Sequence, residues 1–495
     1  MSFNTALLIA ELVALVLAIG SVPSVLIERR ARPTAATVWL LLFLFVPFAG
    51  VLLWWSIGRL YMRRRRRRRR RAKAEVVSRL ANVRAQLRTA QGTGPHFAVG
   101  ISTAREQARN VVFLESDRVF ASRRGNHIRI FEDANTAYPA FLAAIAAARK
   151  HIHFQFYIYE ADETGRLFRD ALVAAARRGV EVRVLVDAVG GGPVAGEFMD
   201  ALREAGGHFV TFMPMRLLRR RLTVNFRNHR KILVVDGRMA FTGGINIGDE
   251  YTHDWHDFAL QLEGPVIDQL QEVFAEDWFF ATGYSLATNT NFGCYEAEGP
   301  LPVDLVLPPA HPARCRVVAS GPDMPENENA TFQIFFLACT TAHKRVFIMT
   351  PYFIPDQAML VAVTSAARRG VDVRLLVPQR SDVPFVQLAC RSYYEDLLTA
   401  GVKVFEYRPA VLHAKMLLFD DDWVILGSAN VDIRSFRLNF EASIFTEGEA
   451  LNADLVARFE RDQEDSDPVS LEAVRAQSWQ TRIKQAAAHL FSPML

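Results

Sequence analysis

Two stretches of the chain carry the same set of chemistry-bearing side chains at the same spacing. Each has a histidine, a lysine two residues later, an aspartate five residues after the lysine, and a glycine-rich turn that leads to an asparagine. The members are His229, Lys231, Asp236 and Asn246 in the first copy and His413, Lys415, Asp420 and Asn430 in the second. Imidazole can act as a nucleophile or as a proton donor, and lysine adds positive charge. The pair of motifs therefore predicts nucleophilic and acid catalysis at one shared site.

A carboxylate follows each histidine at the same offset. Asp257 lies 28 residues after His229, and Glu441 lies 28 residues after His413. A carboxylate bonded to one imidazole nitrogen fixes the tautomer and stabilises the imidazolium, which leaves the other nitrogen as nucleophile or acid. Each histidine therefore has a candidate partner, and the equal offsets predict that this partner lies in the same copy.

The glycines and aspartates of the motifs also have simpler interpretations. Gly243, Gly244 and Gly427 suit a tight turn and a close approach of the backbone to phosphate. Asp236 and Asp420 are the weakest catalytic candidates, because an Asp-Gly or Asp-Asp turn explains them nearly as well. We expect these aspartates to organise the site without contacting phosphorus. One such motif alone would often be structural, whereas two at matched spacing favour a functional site.

A buried strand is predicted after each His-x-Lys pair, because Ile232 to Val235 and Met416 to Phe419 are apolar throughout. If the pair continues that strand, alternation puts the histidine and lysine of each copy on one face. Both pairs then point into a cleft between the copies.

An internal repeat surrounds the motifs. Residues 175–183 recur almost unchanged as residues 366–374, and each segment passes from a helical pattern through a glycine into a β-branched run. The predicted helices are Phe141 to Lys150 and Phe336 to Arg345, and the predicted strands are His151 to Tyr159, Val180 to Val186, Val346 to Tyr352 and Val371 to Val377. Helix alternating with buried strand predicts an α/β domain, present twice, with mostly parallel or mixed sheets.

Two apolar stretches open the chain, Ala6 to Ile27 and Thr34 to Ile57, each long enough to cross the ~30 Å hydrocarbon core. They predict two transmembrane helices, the second kinked at Pro47 and therefore a candidate re-entrant segment. A cleavable signal peptide is the alternative, but it needs basic residues before its apolar run. The heavier positive charge after the second stretch predicts a cytoplasmic catalytic body, although arginines between the stretches then lie outside.

Unbroken arginine from Arg63 to Arg71 follows the apolar stretches. It is an orientation signal on the simplest interpretation, and such residues also bind an anionic leaflet at about 1 kcal/mol each. A nucleic-acid-binding arm is disfavoured, because the run adjoins an apolar stretch and lacks interleaved aromatics. We therefore predict no nucleic-acid partner.

The composition agrees with a large folded protein that meets something anionic. The chain has 495 residues, half of them hydrophobic, and a formal net charge of +5. Its four cysteines, Cys294, Cys315, Cys339 and Cys390, show no metal-binding spacing, which predicts reduced thiols in a cytoplasmic body. A GxxxxGK[ST] phosphate loop is absent from the sequence, so nucleotide energy is not indicated.

The paired H-x-K-x4-D-x6-G-[GS]-x-N pattern resembles that of the phospholipase D superfamily, over nearly the whole body of the chain. Within it the sequence is similar to the bacterial cardiolipin synthases. The similar segments are NFRNHRK at 225–231, TGGINIGDEY at 242–251, SGPD at 320–323, TPYFIPD at 350–356 and DIRS at 432–435.

The resemblance implies a phosphatidyltransferase of the bacterial inner membrane that joins two phosphatidylglycerols into cardiolipin and glycerol. One histidine, His229 by resemblance, would form a phosphohistidine while His413 protonates the leaving alcohol, and neither cofactor nor metal is implied. Lys231 and Lys415, with Asn246 and Asn430, would stabilise the charge on phosphate.

The implied organisation is a membrane hairpin over 1–60, a basic linker over 61–110, and tandem phospholipase D-like domains over 111–298 and 299–495 that face a shared cleft. A homo-oligomer is left open. The alternatives are a hydrolytic phospholipase D, a phosphatidyltransferase with another acceptor, a nuclease, and a non-catalytic membrane scaffold. Membrane helices disfavour the nuclease, and complete motifs disfavour the scaffold.

Overall fold

The computed structural model describes residues 3–29, 33–55, 71, 74–81, 120–213, 226–288, 290–322 and 329–492. Their contacts form two compact units, one that contains the N-terminal helices and one that contains the described residues from 71 onward. The arginine run after the apolar stretches, apart from Arg71, lies outside the described residues, as does most of the predicted linker over 61–110.

The N-terminal unit consists of α1 (Phe3–Glu28), α2 (Pro33–Phe45) and α3 (Pro47–Leu53). Among the described residues, only α1 is long and apolar enough to cross a membrane by length and composition. The second apolar stretch breaks at Val46, where φ is −140°, and Pro47 begins the next helix. The predicted kink at Pro47 is confirmed, but the stretch is two short helices instead of a second continuous span.

The second unit repeats one order of elements. Its first half contains β1 (Arg123–Phe131), α4 (Ala134–Ala147), β2 (His151–Phe156), α5 (Glu163–Arg177), β3 (Glu181–Asp187), a 3-10 turn (Glu197–Met199), α6 (Asp200–Glu204), β4 (His208–Phe212), β5 (Arg227–Asn228), β6 (Ile232–Val235), β7 (Met239–Gly243), a 3-10 turn (Asp249–Thr252), β8 (Trp255–His256), β9 (Ala259–Glu263), α7 (Ile267–Thr282) and α8 (Cys294–Glu298).

The second half contains β10 (His311–Ser320), α9 (Ala330–Thr341), β11 (Arg345–Met349), β12 (Phe353–Ile354), α10 (Gln357–Arg368), β13 (Asp372–Pro378), α11 (Pro384–Arg391), α12 (Tyr394–Thr399), β14 (Lys403–Tyr407), β15 (Val411–Leu412), β16 (Met416–Phe419), β17 (Trp423–Gly427), β18 (Val431–Asp432), α13 (Ile433–Arg437), β19 (Asn439–Glu447), α14 (Glu449–Glu464), β20 (Ser466–Pro468), α15 (Leu471–Arg475) and α16 (Trp479–Leu490).

Both halves belong to one continuous sheet. Its order is β20-β14-β13-β11-β16-β17-β19-β10-β1-β9-β7-β6-β2-β3-β4, so the second half repeats the order of the first in reverse. The antiparallel pair β1–β10 joins the halves in the middle. This pairing removes two exposed sheet edges, and unpaired edges are a liability in β proteins. The predicted mixed α/β fold with two related halves is therefore confirmed, with the two sheets merged into one.

Of the two predicted sheet types, the mixed sheet is confirmed and the mostly parallel sheet is wrong. Among the described strands in this order, the parallel neighbours are β2–β3–β4 and β11–β13–β14, the strands connected by helices. Strands such as β6 and β7 are joined by tight turns, which can connect only antiparallel neighbours. The helix-strand repeat in the sequence predicted the parallel outer strands correctly. The strands next to the motifs, such as β6 and β7, are antiparallel hairpins.

Apolar layers cover both faces of the sheet. On one face, α4 and α5 pack on the first half and α9 and α10 pack on the second, each over its own cluster of buried apolar residues. On the other face, a third cluster lies beneath α7 and α14 and includes residues of both halves. The shared cluster fixes the halves relative to each other, which the site between them requires.

Candidate active site

His229 is positioned by the second half of the body. β5 ends at Asn228, directly before His229, and pairs in parallel with the start of β19. The His229 amide donates to Phe440 O at 2.9 Å. Its Nδ1 lies 3.0 Å from Glu441 Oε2 and 3.1 Å from Ser428 O. Because both of these oxygens are acceptors, Nδ1 carries the ring proton and Nε2 keeps its lone pair.

His413 is positioned by the first half in the corresponding way. β15 ends at Leu412, directly before His413, and pairs in parallel with β8. The His413 amide donates to His256 O at 2.8 Å. Its Nδ1 lies 2.7 Å from Asp257 Oδ2 and 2.6 Å from Lys415 Nζ. The carboxylate favours the tautomer with the proton on Nδ1, in which Nε2 is the reactive nitrogen.

The carboxylate partners are therefore exchanged between the halves. Equal offsets along the sequence predicted Asp257 for His229 and Glu441 for His413, and this assignment is wrong. Each histidine follows a short strand that pairs with the strand leading to the other half's carboxylate. The pairing across the two halves, and not the local offset, decides which carboxylate contacts which imidazole.

The His-x-Lys tripeptides also differ from the prediction, because they lie between strands. β6 begins at Ile232 and β16 begins at Met416, each one residue after the lysine. Lys231 Nζ turns back to donate to His229 O at 2.8 Å. The apolar runs predicted after each lysine are the buried strands β6 and β16, and this prediction is confirmed.

Glu441 is held by three uncharged donors besides the imidazole. Ser428 Oγ donates to Oε2 at 2.5 Å, while Ser435 Oγ and Asn439 Nδ2 donate to Oε1 at 3.1 and 3.2 Å. Burial raises the pKa of Glu441, but His229, the Lys231 charge and the Ser428 hydroxyl outweigh it and hold the pKa below its usual value. Glu441 is therefore an ionised and fully bonded support.

Asp257 has a different set of neighbours. The Phe258 amide donates to Oδ1 at 2.8 Å, and Lys415 Nζ lies 3.4 Å from Oδ2. A Cβ on Gly244 would lie 2.1 Å from Oδ1, so only glycine fits beside this carboxylate. Burial raises the pKa of Asp257, but Lys415 and His413 outweigh it and lower the pKa below its usual value.

Both imidazoles are neutral at neutral pH without a ligand. Burial lowers the pKa of His229 below its usual value, with Glu441 opposing the shift. Burial and the Lys415 ammonium lower the pKa of His413 to about 4. Aromatic edges contribute to this burial, since Tyr157 contacts His229 and Trp255 contacts His413 with ring centroids 4.9 and 4.6 Å apart. A bound anion would shift both pKa values upward again.

The two lysines form a compact positive site. Burial and the neighbouring Lys415 lower the pKa of Lys231 to about 7. Burial also lowers the pKa of Lys415, while Asp257 and Glu441 oppose the shift. Two ammonium groups that repel each other in a buried site favour an anion between them, because it would restore their full charge.

Asp236 and Asp420 lie away from the histidines. β6 separates Lys231 from Asp236, so their Cα atoms are roughly 16 Å apart at ~3.3 Å per residue. Asp236 accepts the amides of Arg149, Lys150 and His151 at 2.8 to 2.9 Å. Asp420 likewise accepts two amides before β11, and both aspartates have positive φ, 54° and 51°. These contacts support a structural role for both.

The asparagines anchor loops beside the site. Asn246 Oδ1 accepts the Ile158 amide at 3.1 Å, and its Nδ2 donates to Tyr251 Oη at 3.1 Å. Asn430 Nδ2 donates to Asp432 Oδ2 at 3.1 Å. A phosphate would therefore have to compete with these partners for the side-chain amides.

Sequence reasoning missed Arg230 and Ser428. Arg230 is buried and donates to Asp277 Oδ2, Glu441 O and Ser320 O at 2.8 to 3.1 Å, so it links the first half to two strands of the second. A signal was available for both residues. The corresponding positions in the other copy are Ala414 and Gly244, so the motifs differ in chemistry at these two positions.

Within the part of the chain that the structure describes, no group of three or more His, Cys, Asp or Glu side chains is arranged to hold a metal ion. The four cysteines are free and buried there, which agrees with the predicted reduced thiols.

Comparison with known proteins identifies relatives of the whole chain. A family model described as cardiolipin synthase, phospholipase D-like domain, matches residues 141–278 and 338–463. The chain is 32% identical to the major cardiolipin synthase of Bacillus subtilis, over 95% of this chain and 96% of that protein. It is also 32% identical to a cardiolipin synthase of Clostridium perfringens, with the same coverage. A solved phosphatidylserine synthase from Haemophilus influenzae shares the fold, with a TM-score of 0.57 at 14% identity, over 74% of this chain and 95% of that one.

Proposed function

Because the chain belongs to the cardiolipin synthase family with phospholipase D-like domains, we propose that it transfers a phosphatidyl group from one phosphatidylglycerol to another through a phosphohistidine. The observation that carries the mechanism is the pair of histidines, each bonded through Nδ1 to a carboxylate of the other half.

The predicted function of a cardiolipin synthase is confirmed at the level of the family. Both the family model and several curated relatives at 32% identity over nearly the whole chain have this description. The chain is therefore an enzyme of the phosphatidyltransferase class. The sequence of chemical steps and the role of each residue are our proposal.

His229 attacks the phosphorus of the first phosphatidylglycerol with Nε2. The new N–P bond forms as the bond from phosphorus to the glycerol oxygen breaks, and His413 gives its proton to that oxygen. Burial and Lys415 lower the pKa of His413 to about 4, and the negative charge of the bound phosphodiester, with Asp257 behind the ring, raises that pKa again and favours protonation. We assign the nucleophile to His229 by the resemblance to the superfamily.

The second step reverses the first. The hydroxyl of the second phosphatidylglycerol gives its proton to His413 and attacks phosphorus, which releases His229 and cardiolipin. One phosphodiester replaces another, so the exchange is close to isoenergetic. Exclusion of water from the phosphohistidine decides between transfer and hydrolysis.

The lysines stabilise the charge that spreads over the phosphate oxygens in the transition state. Lys231 and Lys415 lie in a buried site, where a charge interaction is stronger than in water. Asn246 and Asn430 add amide donors once they exchange their present partners for phosphate. Asp236 and Asp420 fix the far ends of β6 and β16.

The membrane arrangement is part of the proposal. α1 spans the inner membrane, α2 and α3 form the returning segment, and the arginine run keeps the catalytic body on the cytoplasmic side. We also propose that the boundary between the two domains lies at residue 299, which the end of α8 at Glu298 and the start of β10 at His311 support. Phosphatidylglycerol and cardiolipin are the membrane partners.

A product assay tests the function directly. Purified enzyme receives phosphatidylglycerol with labelled headgroup glycerol, in detergent and without nucleotide, and both lipids and released glycerol are resolved. We expect cardiolipin and glycerol in equal amounts. Phosphatidic acid as the sole lipid product would make water the acceptor and the chain a phospholipase, which would overturn the transferase proposal.

A further inference from the structure

The last helix turns apolar side chains toward solvent. α16 packs against α11 through Gln485 and Ala488, which are buried. On its opposite face Trp479, Ile483 and Leu490 are 70%, 57% and 78% exposed. Their spacing places them along one side of the helix. A contiguous exposed stripe of large apolar residues needs a partner that covers it, whereas single exposed residues do not.

Neighbouring residues extend this stripe. Phe491 follows α16 directly, and its ring lies 5.7 Å from that of Phe385 near the start of α11. Val383, which precedes α11, is also exposed. We call Val383, Phe385, Trp479, Ile483, Leu490 and Phe491 the C-terminal apolar surface.

The C-terminal apolar surface begins beside the candidate active site. Asp382 directly precedes Val383 and accepts a hydrogen bond from Tyr352 Oη at 2.6 Å. The Tyr352 ring is 6.3 Å from the His413 ring, centroid to centroid. Two side chains thus connect the general acid to the edge of this surface.

The charges around the surface favour an anionic partner. α16 contains Arg482 and Lys484, both exposed, and no acidic residue. Glu395 of α12 lies 3.7 Å from Arg482, so Lys484 is the excess positive charge of the helix. An open groove of about 570 Å³ runs along the helix, with Ile483 and Leu490 on its wall. Tryptophan, aliphatic and phenylalanine side chains on one face with basic residues beside them are typical of helices that lie in a membrane interface.

We propose that the C-terminal apolar surface inserts into the headgroup region of an anionic bilayer and seats the mouth of the active site on the lipid. The inference rests on the proposed function, because a lipid substrate gives the site a reason to meet a bilayer at this edge. A second copy of the chain would also cover apolar residues, but α16 keeps a net positive charge after the Arg482–Glu395 pair, which fits an anionic lipid surface better than a copy of the same helix.

Spin labelling locates the surface without requiring turnover. The four native cysteines are buried, so a nitroxide on Ile483→Cys reports one position. The full chain, inactivated by His413→Ala, is reconstituted in phosphatidylcholine vesicles with phosphatidylglycerol. A label on Leu167→Cys is the control, because Leu167 is 55% exposed on α5 and does not belong to the C-terminal apolar surface.

We expect the label at 483 to collide more often with membrane-soluble oxygen than with an aqueous nickel complex, and the label at 167 to show the opposite. Equal, water-like collision rates at both positions would overturn the proposal. If the product assay yields no cardiolipin but the label at 483 lies in lipid, the proposed function fails and the membrane surface stands.

A second experiment compares two presentations of the same substrate. Ile483→Glu combined with Leu490→Glu should lower the rate on vesicles about tenfold, because charged side chains are expelled from the interface. The rate in detergent micelles should be unchanged, as it should be in both assays for Leu167→Glu. Equal losses in both presentations, no loss, or a change in oligomer size with an unchanged vesicle rate would contradict a bilayer-binding surface.

Discussion

The two histidines have chemically different surroundings, although their motifs have identical spacing. The carboxylate behind His229 is a glutamate held by two serine hydroxyls and an asparagine amide. The carboxylate behind His413 is Asp257, which also contacts Lys415. Gly244 lies beside it, at the position that corresponds to Ser428 in the other copy.

This difference separates the electrostatics of the two rings. Glu441 accepts hydrogen bonds from neutral donors and is also stabilised by the Lys231 charge, whereas the Oδ2 of Asp257 lies within 3.4 Å of both His413 Nδ1 and Lys415 Nζ. Burial with the Lys415 charge accordingly lowers the pKa of His413 to about 4. The copies share one architecture, but they are not interchangeable, as expected if one ring is the nucleophile and the other the acid.

Removal of either ring has the largest expected effect. His229→Ala and His413→Ala should each lower cardiolipin synthesis at least about a thousandfold, because nucleophile and acid act as one unit. The comparison is sharpened by a lipid whose leaving group is a nitrophenol, which needs no acid. With it, His413→Ala should still form a labelled phosphohistidine and His229→Ala should not. A label on His413 would reverse the assignment.

Neutral replacements of the two carboxylates test the exchange between halves. Glu441→Gln and Asp257→Asn should each lower the turnover about a thousandfold, because the imidazole loses its charged support. With the nitrophenyl lipid, only Glu441→Gln should slow the formation of the phosphohistidine. If Asp257→Asn slows that step instead, His229 depends on the carboxylate of its own half, and the crossed pairs have no catalytic meaning.

Substitutions at Gly244 and at Ser428, which are corresponding positions of the two copies, should lower the turnover by different factors. Gly244→Ala places a methyl group against the Asp257 carboxylate and should lower turnover about a hundredfold. Ser428→Gly removes one donor to Glu441 and should lower it about tenfold. Thermal unfolding of both variants serves as the control for a general loss of stability, and equal effects would argue against the difference between the half-sites.

The smallest expected effect is a shift of the pH profile. Burial lowers the pKa of Lys231 to about 7, so the lysine loses its charge as the pH rises through that value in the free enzyme. kcat/KM should therefore fall about tenfold per pH unit above 7, while kcat falls only at higher pH, since bound phosphate raises the pKa of the lysine.

Lys231→Arg should extend the plateau of kcat/KM to higher pH, because guanidinium stays charged. Lys415→Arg is the matched comparison, because Asp257 and Glu441 oppose the lowering of the Lys415 pKa by burial. An alkaline limb that stays in place in both variants would assign the titration to another group.

The sequence by itself determined the local features of this protein. Repeated motif spacing identified the histidines and lysines, and continuous apolar runs identified β6 and β16, because burial on both faces of a strand requires such runs. Pro47 identified the helix break, since proline suits the first turn of a helix and removes a backbone N–H donor from its interior.

Only the tertiary structure decided which groups meet across the halves. His229 and Glu441 are 212 residues apart, and His413 and Asp257 are 156 apart. Their contact depends on the short parallel pairs β5–β19 and β8–β15 and on the central β1–β10 pair, none of which is encoded by spacing within one copy. The exposed face of α16 is another such feature, because amphipathic spacing alone does not tell which face of a helix the core covers.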